Sequence, residues 1–458
     1  MRRPAAWSVR VSQISLLGCA AVKHQPSRIS SLLALGFAIA AGAAHAQDPF
    51  LRRTATVAAV EKVGPAVVNI TTEQQVQLRS TFFDLFFEPN MRQRTAQSLG
   101  SGIVIDGSGR VLTNEHVVRG AETITVTLAD GRELGAKLVG ADPNNDIAVL
   151  QLESASEVPW IAPGTSSGLF VGEPVIAIGN PFGFSNSVTT GVLSATDRSL
   201  RTQEKTYHGF LQTDASINPG NSGGPLLNAE GELIGINTAI YQGAEGIGFA
   251  IPIDVAKRIV HELVTKGSVA PVWLGLDLQD LEPAMLELLK LPAGQRGAIV
   301  NRVRAGGPGA KAGVLRGDVL MKIDAHGIRA AREFYEVLES STAGQTHELQ
   351  VMRGGRSIAL RATAAEIPPA VVGELTTERL GVRLAFERGL FRVAEVRPGS
   401  GAEQIGLQPG DYVRSIDGQL LGDEQALRRA VLRLQGRDSA LIRVQRGRRL
   451  ADVPLPLS

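Results

Sequence analysis

The sequence predicts a mainly β chain built in three parts, and three observations carry that prediction. Apolar runs of strand length, such as Val67-Val68-Asn69-Ile70 and residues 124–128, 174–178 and 233–240, recur through the first half with glycines between them. The period changes over residues 252–266, where Val255, Ile259 and Leu263 recur at helical spacing and Gly267 is placed to stop the helix. Beyond it, Gly313-Val314-Leu315-Arg316-Gly317-Asp318-Val319-Leu320-Met321-Lys322-Ile323-Asp324 returns as Gly406-Leu407-Gln408-Pro409-Gly410-Asp411-Tyr412-Val413-Arg414-Ser415-Ile416-Asp417. A length of 458 residues is too great for one compact domain and suits three of ordinary size. The 51 glycines against 5% aromatics fit strands and turns.

The first 46 residues read as a leader. Arg2, Arg3, Arg10, Lys23 and Arg28 occur there without any acid, residues 31–44 are almost continuously apolar, and Ala44-His45-Ala46 is a small-x-small cleavage site. Fourteen apolar residues fall short of the about 20 that span a bilayer. Two alternatives stay open: lipidation at Cys19 after Leu16-Leu17-Gly18, and a retained inner-membrane anchor. Cys19 is the only cysteine, so cleavage after Ala46 leaves no thiol and no need for oxidative folding. The expected compartment is the bacterial periplasm. A net charge of +2 gives no reason to expect nucleic acid as a partner.

Next comes a strand–turn–strand pattern, Gly102-Ile103-Val104-Ile105 and Asp106-Gly107-Ser108-Gly109, leading to Thr113-Asn114-Glu115-His116-Val117. His116 therefore falls where a strand ends. Asn145-Asp146-Ile147-Ala148-Val149-Leu150 sets an acid directly before a buried-type strand, which is costly unless something satisfies the carboxylate. Orienting a histidine is one way to satisfy it. Gly220-Asn221-Ser222-Gly223-Gly224-Pro225 then places a serine in a tight glycine turn. Such a turn projects the hydroxyl and lets the N–H groups of Gly220 and Ser222 converge as an oxyanion hole. His116, Asp146 and Ser222 occur in the chain order of a chymotrypsin-type triad.

Together, residues 113–117, 146–150 and 220–226 resemble the HtrA/Deg family of trypsin-fold serine proteases. The resemblance continues through Gly179-Asn180-Pro181-Phe182-Gly183, Gln212-Thr213-Asp214-Ala215 and Gly246-Ile247-Gly248-Phe249-Ala250-Ile251-Pro252, and extends over nearly all of the chain after the leader. It implies a trypsin-like double β-barrel protease domain over 47–267, each barrel six-stranded, with the site between the barrels and residues 252–266 as the closing helix. The repeats resemble tandem PDZ domains over 271–365 and 375–458, each with a helix (332–340 and 424–434).

Leu274-Gly275-Leu276 and Leu380-Gly381-Val382 would be their carboxylate loops, receiving a peptide C-terminus whose last residues add as a strand. Arg379 and Arg383 flank the second loop and could assist an anion. In this fold the base of the S1 pocket lies five or six residues before the nucleophile, at Ser216 and Ile217. The absence of an acid there argues against cleavage after Lys or Arg, and Ile217 favours small aliphatic P1 residues. Thr81-Phe82-Phe83-Asp84-Leu85-Phe86-Phe87 is either core or, as the resemblance implies, a loop mediating subunit contacts; Phe50 would serve a trimer contact.

What the resemblance implies as function is an ATP-independent endopeptidase of envelope protein quality control acting on misfolded or unfolded proteins. Alternatives are a regulatory protease cutting one membrane signalling protein and a PDZ chaperone or scaffold. No metal-ligand cluster and no phosphate loop stands in the sequence, so no cofactor is expected. Residues 186–199 and 202–207 are expected to be loops able to move.

Overall fold

A computed structural model describes residues 52–457 except 77–93, 155, 182, 184, 202–205, 219, 239–245, 289–290 and 292–293. The expected leader, Phe50 and the phenylalanine-rich stretch Phe82–Phe87 lie outside the described residues. Two closed barrels hold the first half of residues 55–457. The first has the strand order β1-β2-β3-β6-β5-β4, from β1 (Val67–Val76), β2 (Arg94–Val104), β3 (Arg110–Thr113), β4 (Thr123–Thr127), β5 (Glu133–Asp142) and β6 (Ile147–Leu152). The second is ordered β10-β11-β12-β9-β8-β7, from β7 (Pro174–Gly179), β8 (Ser187–Arg201), β9 (Thr206–Thr213), β10 (Pro225–Asn228), β11 (Leu233–Thr238) and β12 (Gly248–Pro252).

Strand alternation explains how the barrels join. Val68, Ile70, Val104, Val111, Ala148 and Leu150 belong to the core of the first barrel, and Val175, Ala177, Leu226 and Ala250 to that of the second. Their neighbours in sequence, Val67, Ile103, Leu112, Ile147, Val149, Ile176, Ile178, Leu227 and Ile251, form a separate layer. That layer also takes in Ile253, Ala256, Ile259 and Leu263 of the helix Ile253–Lys266. The strand β6 therefore reads as a continuous apolar run because both of its faces are buried. Full burial of each such side chain is worth about 1.5–3 kcal/mol. Gly267 ends the helix with its N–H on the Leu263 carbonyl at 2.9 Å, as the sequence predicts.

One expectation fails here. Residues 187–199 are not a loop but most of the fifteen-residue strand β8, paired along its length with β7 and β9. Its Val and Thr residues suit a strand although much of it is exposed, and Asn186 just before it and Gly191 within it give the segment the composition of a turn.

Two sheets of one design follow, as the internal repeat requires. The first runs β13 (Leu276–Asp280), β14 (Ala298–Val303), β15 (Val319–Ile323), β16 (Thr346–Arg353) and β17 (Arg356–Thr363), with the short strand His326–Gly327 beside β15 and a helix over Ala331–Glu339. The second runs β18 (Val382–Glu387), β19 (Leu390–Val396), β20 (Tyr412–Ile416), β21 (Ser439–Arg446) and β22 (Arg449–Pro456), with Gln419–Leu420 beside β20 and a helix over Glu424–Arg433. The repeated Asp318 and Asp411 do the same work in each: both are buried and both pair with an arginine, Arg353 at 2.7 Å and Arg446 at 2.6 Å.

Candidate active site

Asp146 adopts a left-handed φ of 56°, a region in which Asp and Asn are enriched among non-glycine residues. Its carboxylate, 2% exposed, is fully engaged. It accepts from the His116 backbone N–H at 3.0 Å and from His116 Nδ1 at 2.8 and 2.9 Å. A third donor, the Thr238 hydroxyl, reaches it at 3.1 Å from the end of β11 in the other barrel. Because a carboxylate only accepts, Nδ1 turns its N–H to Asp146, and in the neutral ring Nε2 keeps its lone pair. The buried carboxylate is thereby satisfied by three donors. Asn114 adds a bond from its side-chain amide to the Asp146 carbonyl at 3.0 Å.

His116 lies on the short helix Glu115–Val118, three residues past the end of β3, with its side chain 35% exposed. Ser222 sits in the turn before β10 and is 4% exposed. The structure joins that turn to the histidine segment through shared partners. The Gly223 N–H donates to the Asn237 carbonyl at 2.9 Å, one residue from Thr238. A Cβ on Gly223 would stand 2.2 Å from the Ser101 carbonyl oxygen and 2.4 Å from Thr113 Oγ1, so only glycine lets the turn approach this closely. Thr113 directly precedes the His116 segment and donates to Ser101 O at 2.7 Å. Gly220 takes φ 111°, which the glycine-rich motif anticipates, and its carbonyl is held by Ser101 Oγ at 2.5 Å.

Of the expected pocket residues, Ser216 offers its backbone: its carbonyl accepts from Thr189 Oγ1 at 2.9 Å and Asn221 Nδ2 at 3.0 Å. Asn221 also accepts from the Asn218 N–H at 2.9 Å, so the residue before the serine braces the segment before the turn. Ile217 is half-buried against the second-barrel core, and its Cγ1 would lie 2.5 Å from a Cβ on Gly248. The aliphatic side chain and the bare β12 backbone therefore face one another. Sequence reasoning missed Thr238 and Ser101 and took Asn221 only as a member of the glycine turn. Small polar residues in strands and turns have no period of their own, and only the fold brings them to the site.

The two expected carboxylate loops are built alike. Gly275 O accepts from Arg304 N and Gly381 O from Arg397 N, both at 2.8 Å, while Leu274, Leu276, Leu380 and Val382 bury their side chains. They differ at the groove. Tyr335, from the helix Ala331–Glu339, accepts from Leu278 N at 2.9 Å and donates to Leu276 O at 3.3 Å, capping the edge of β13. Burial raises the pKa of this phenol well above its ordinary value. By the register of the repeat, Arg428 stands at that position in the second sheet, and it pairs with Glu424 at 3.8 Å. Arg379 and Arg383 do not face an incoming anion as expected: Arg379 donates to the Leu434 and Arg437 carbonyls, and Arg383 pairs with Glu395.

The first loop also borders a cavity of about 430 Å³, lined in part by Trp273, Gly275, Arg304, Arg429 and Asn144. It lies at the junction of the barrels and both repeats, and His116 does not line it. Arg304, 9% exposed, bonds Glu378 at 2.7 Å and Glu374 at 3.2 Å across that junction. Among the described residues no group of His, Cys, Asp and Glu is arranged to hold a metal ion, and no helix is long and apolar enough to cross a membrane.

Comparison with known proteins gives these parts their relatives. A trypsin-like peptidase domain matches residues 100–236, and PDZ domains match residues 272–363 and 392–446. A protein of Pseudomonas putida (strain GB-1) named probable periplasmic serine endoprotease DegP-like is 37% identical over 95% of this chain and 99% of its own. One of the same name from Hahella chejuensis is 39% identical over 78% of this chain and 84% of its own. Among solved structures, a variant of the HtrA-type protease AlgW with a decapeptide is 39% identical, with a TM-score of 0.50, covering 69% of this chain and 98% of that one.

Proposed function

The chain belongs to the DegP-like HtrA family of serine endoproteases with PDZ domains, and from that premise we propose an exported quality-control endopeptidase whose triad is Ser222, His116 and Asp146. The observation that carries this reading is the Asp146 carboxylate, bonded at once to the ring and the backbone of His116. Ser222 Oγ attacks the peptide carbonyl as His116 Nε2 takes its proton, and Asp146 holds the imidazole in that tautomer and stabilises the imidazolium. The N–H groups of Gly220 and Ser222 bind the developing oxyanion. The proton then passes from His116 to the leaving amine, and water, activated by the same ring, hydrolyses the acyl-enzyme.

Specificity follows from the chemistry of the pocket. Ser216 and Ile217 bring no charge, and the Ile217 side chain opposite Gly248 leaves room for a small aliphatic P1 residue such as Val or Ala. Substrates are accordingly flexible segments of unfolded or misfolded proteins, cut without ATP or another cofactor. The PDZ domains take peptide C-termini at Leu274-Gly275-Leu276 and Leu380-Gly381-Val382. In the first domain an incoming strand has to displace Tyr335 from β13. The periplasmic naming of the relatives supports export, with residues 1–46 as the signal peptide, and assembly is taken to be a trimer or its multiples.

A second reading, a regulatory protease triggered by a peptide, is favoured by the likeness to the HtrA-type protease AlgW with its decapeptide. Casein degradation by the purified protein, with and without C-terminal peptides, separates the two. Degradation in the absence of peptide supports quality control. Activity seen only with peptide, and confined to one protein substrate, supports regulation.

A further inference from the structure

Ser101 stands outside the triad, the oxyanion donors and the pocket, yet it reaches the nucleophile turn with two of its groups. It lies on β2 of the first barrel and is fully buried. Its backbone N–H donates to Ser222 O at 2.8 Å, and its hydroxyl donates to Gly220 O at 2.5 Å. The same hydroxyl accepts from the Asn180 N–H, past the end of β7, at 2.8 Å. One proton and one lone pair of the hydroxyl are thereby used, both on backbone groups of the second barrel.

The peptide planes around Ser222 show what these bonds fix. The 220–221 plane is held at its carbonyl by Ser101 Oγ and at its N–H by Asn218 O, 3.1 Å away. The 222–223 plane is held at its carbonyl by Ser101 N and at its N–H by Asn237 O. Between them, the 221–222 plane carries the Ser222 N–H, and its carbonyl accepts from Gly224 N at 3.0 Å. Among the described residues the one support of the 220–221 carbonyl is a side-chain hydroxyl, and that plane begins at Gly220, whose φ of 111° and lack of a side chain make it a soft joint.

We infer that Ser101 is a positioning residue for the oxyanion hole: its hydroxyl pins the Gly220 carbonyl and so keeps the Gly220 and Ser222 N–H groups convergent. The inference rests on the reading of Ser222 as nucleophile. Removing the hydroxyl leaves two buried backbone groups, Gly220 O and Asn180 N, without their partner, and such groups relax by turning toward other partners. Turning the 220–221 plane changes ψ at Gly220 and φ at Asn221, so the planes on either side of it, which carry the Gly220 and Ser222 N–H groups, tilt relative to one another. Loss of one donor outright typically costs about 10²–10³ in rate, so partial misplacement is expected to cost about 10–100-fold.

The test compares full-length wild type with Ser101→Ala, Ser101→Cys, which exchanges the hydroxyl for a larger and much weaker donor, Ser101→Thr and Ser222→Ala. The readouts are kcat and KM on a chromogenic valyl peptide, the inhibition constant of a peptide boronate and the thermal midpoint. A boronate adduct places an oxygen in the hole and therefore reports transition-state binding. Expected are a fall in kcat of about 10–100-fold for Ala and Cys with KM within about twofold. The boronate should weaken by the same factor, and Thr, which keeps the hydroxyl, should recover most of the loss. The inference is overturned if kcat and boronate affinity stay within about threefold of wild type in the folded Cys variant, or if Thr is as impaired as Ala at an equal thermal midpoint. Ser222→Ala separates the two readings. Turnover persisting in it overturns both, whereas an inactive Ser222→Ala beside a fully active Ser101→Cys overturns this one alone.

Discussion

Thr238 Oγ1 donates to Asp146 Oδ2 at 3.1 Å, so the acid that orients the histidine of one barrel is itself held by the other. A hydrogen bond to a charged acceptor contributes about 1.5–3 kcal/mol, which corresponds to roughly tenfold to a hundredfold if it is felt in the transition state. Thr238→Val, which keeps the shape and loses the donor, is therefore expected to lower kcat about tenfold or more with little change in KM. Steady-state kinetics on a valyl peptide checks this. An unchanged kcat would mean that the His116 contacts alone fix the carboxylate.

Ile217 opposite Gly248 sets the expectation for specificity. Ile217→Ala enlarges the pocket by more than one methylene, a change worth about 10–200-fold per methylene in discrimination. The ratio of kcat/KM for P1 Leu over P1 Val should rise by at least about tenfold. Ile217→Asp should not improve cleavage after Val. Profiling with a P1-varied peptide library decides, and a ratio that does not move would displace Ile217 from the pocket.

Tyr335 occupies the two backbone groups of β13, Leu276 O and Leu278 N, that an added peptide strand needs. Tyr335→Phe removes a competitor worth about 1 kcal/mol, so C-terminal peptides should bind the first PDZ domain about fivefold more tightly. Calorimetric titration of the full-length protein with a hydrophobic C-terminal peptide reads this. An affinity equal to wild type would show that the phenol does not compete.

The His208 ring lies 4.6 Å from that of His326, with Ser199 Oγ bonded to both rings. Burial, then the neighbouring His326, holds the pKa of His208 down to about 4. Asp197, 3.4 Å from His326, and Glu333 act in the opposite sense. The unfolded chain thus takes up this proton first as the pH falls from 6.5, the ordinary value, toward about 4. Stability from this contact is complete above that window and lost on descending through it. His208→Gln should flatten the fall of the thermal midpoint between pH 6.5 and 4, and an unchanged slope would assign it to other groups.

Much of the architecture was legible because it is periodic. The apolar run Ile147-Ala148-Val149-Leu150 is a strand buried on both faces, and Val255, Ile259 and Leu263 face the interbarrel layer from one helix. The repeat ending at Asp324 and Asp417 becomes two matching sheets. His116 and Asp146 were legible because a buried acid needs a partner. Residues 187–199 misled because an exposed strand face of Ser, Thr and Gly carries the composition of a loop. Ser101 and Thr238 gave no signal at all, since their meaning lies in what the other barrel brings beside them, and Asn221 was visible only as part of the glycine turn. Tyr335 reads in sequence as an ordinary aromatic of a helix; only the fold aims its hydroxyl at a strand edge.

We propose Ser222, served by His116 and Asp146, as the nucleophile of this enzyme. The most direct measurement is labelling of the purified protein by a fluorophosphonate, with the modified peptide located by mass spectrometry, in wild type, Ser222→Ala and His116→Ala. Labelling is expected at Ser222 in wild type, none in Ser222→Ala, and in His116→Ala at a rate lower by about 10³ or more. Labelling at another residue, or casein turnover by Ser222→Ala at the wild-type rate, would contradict it.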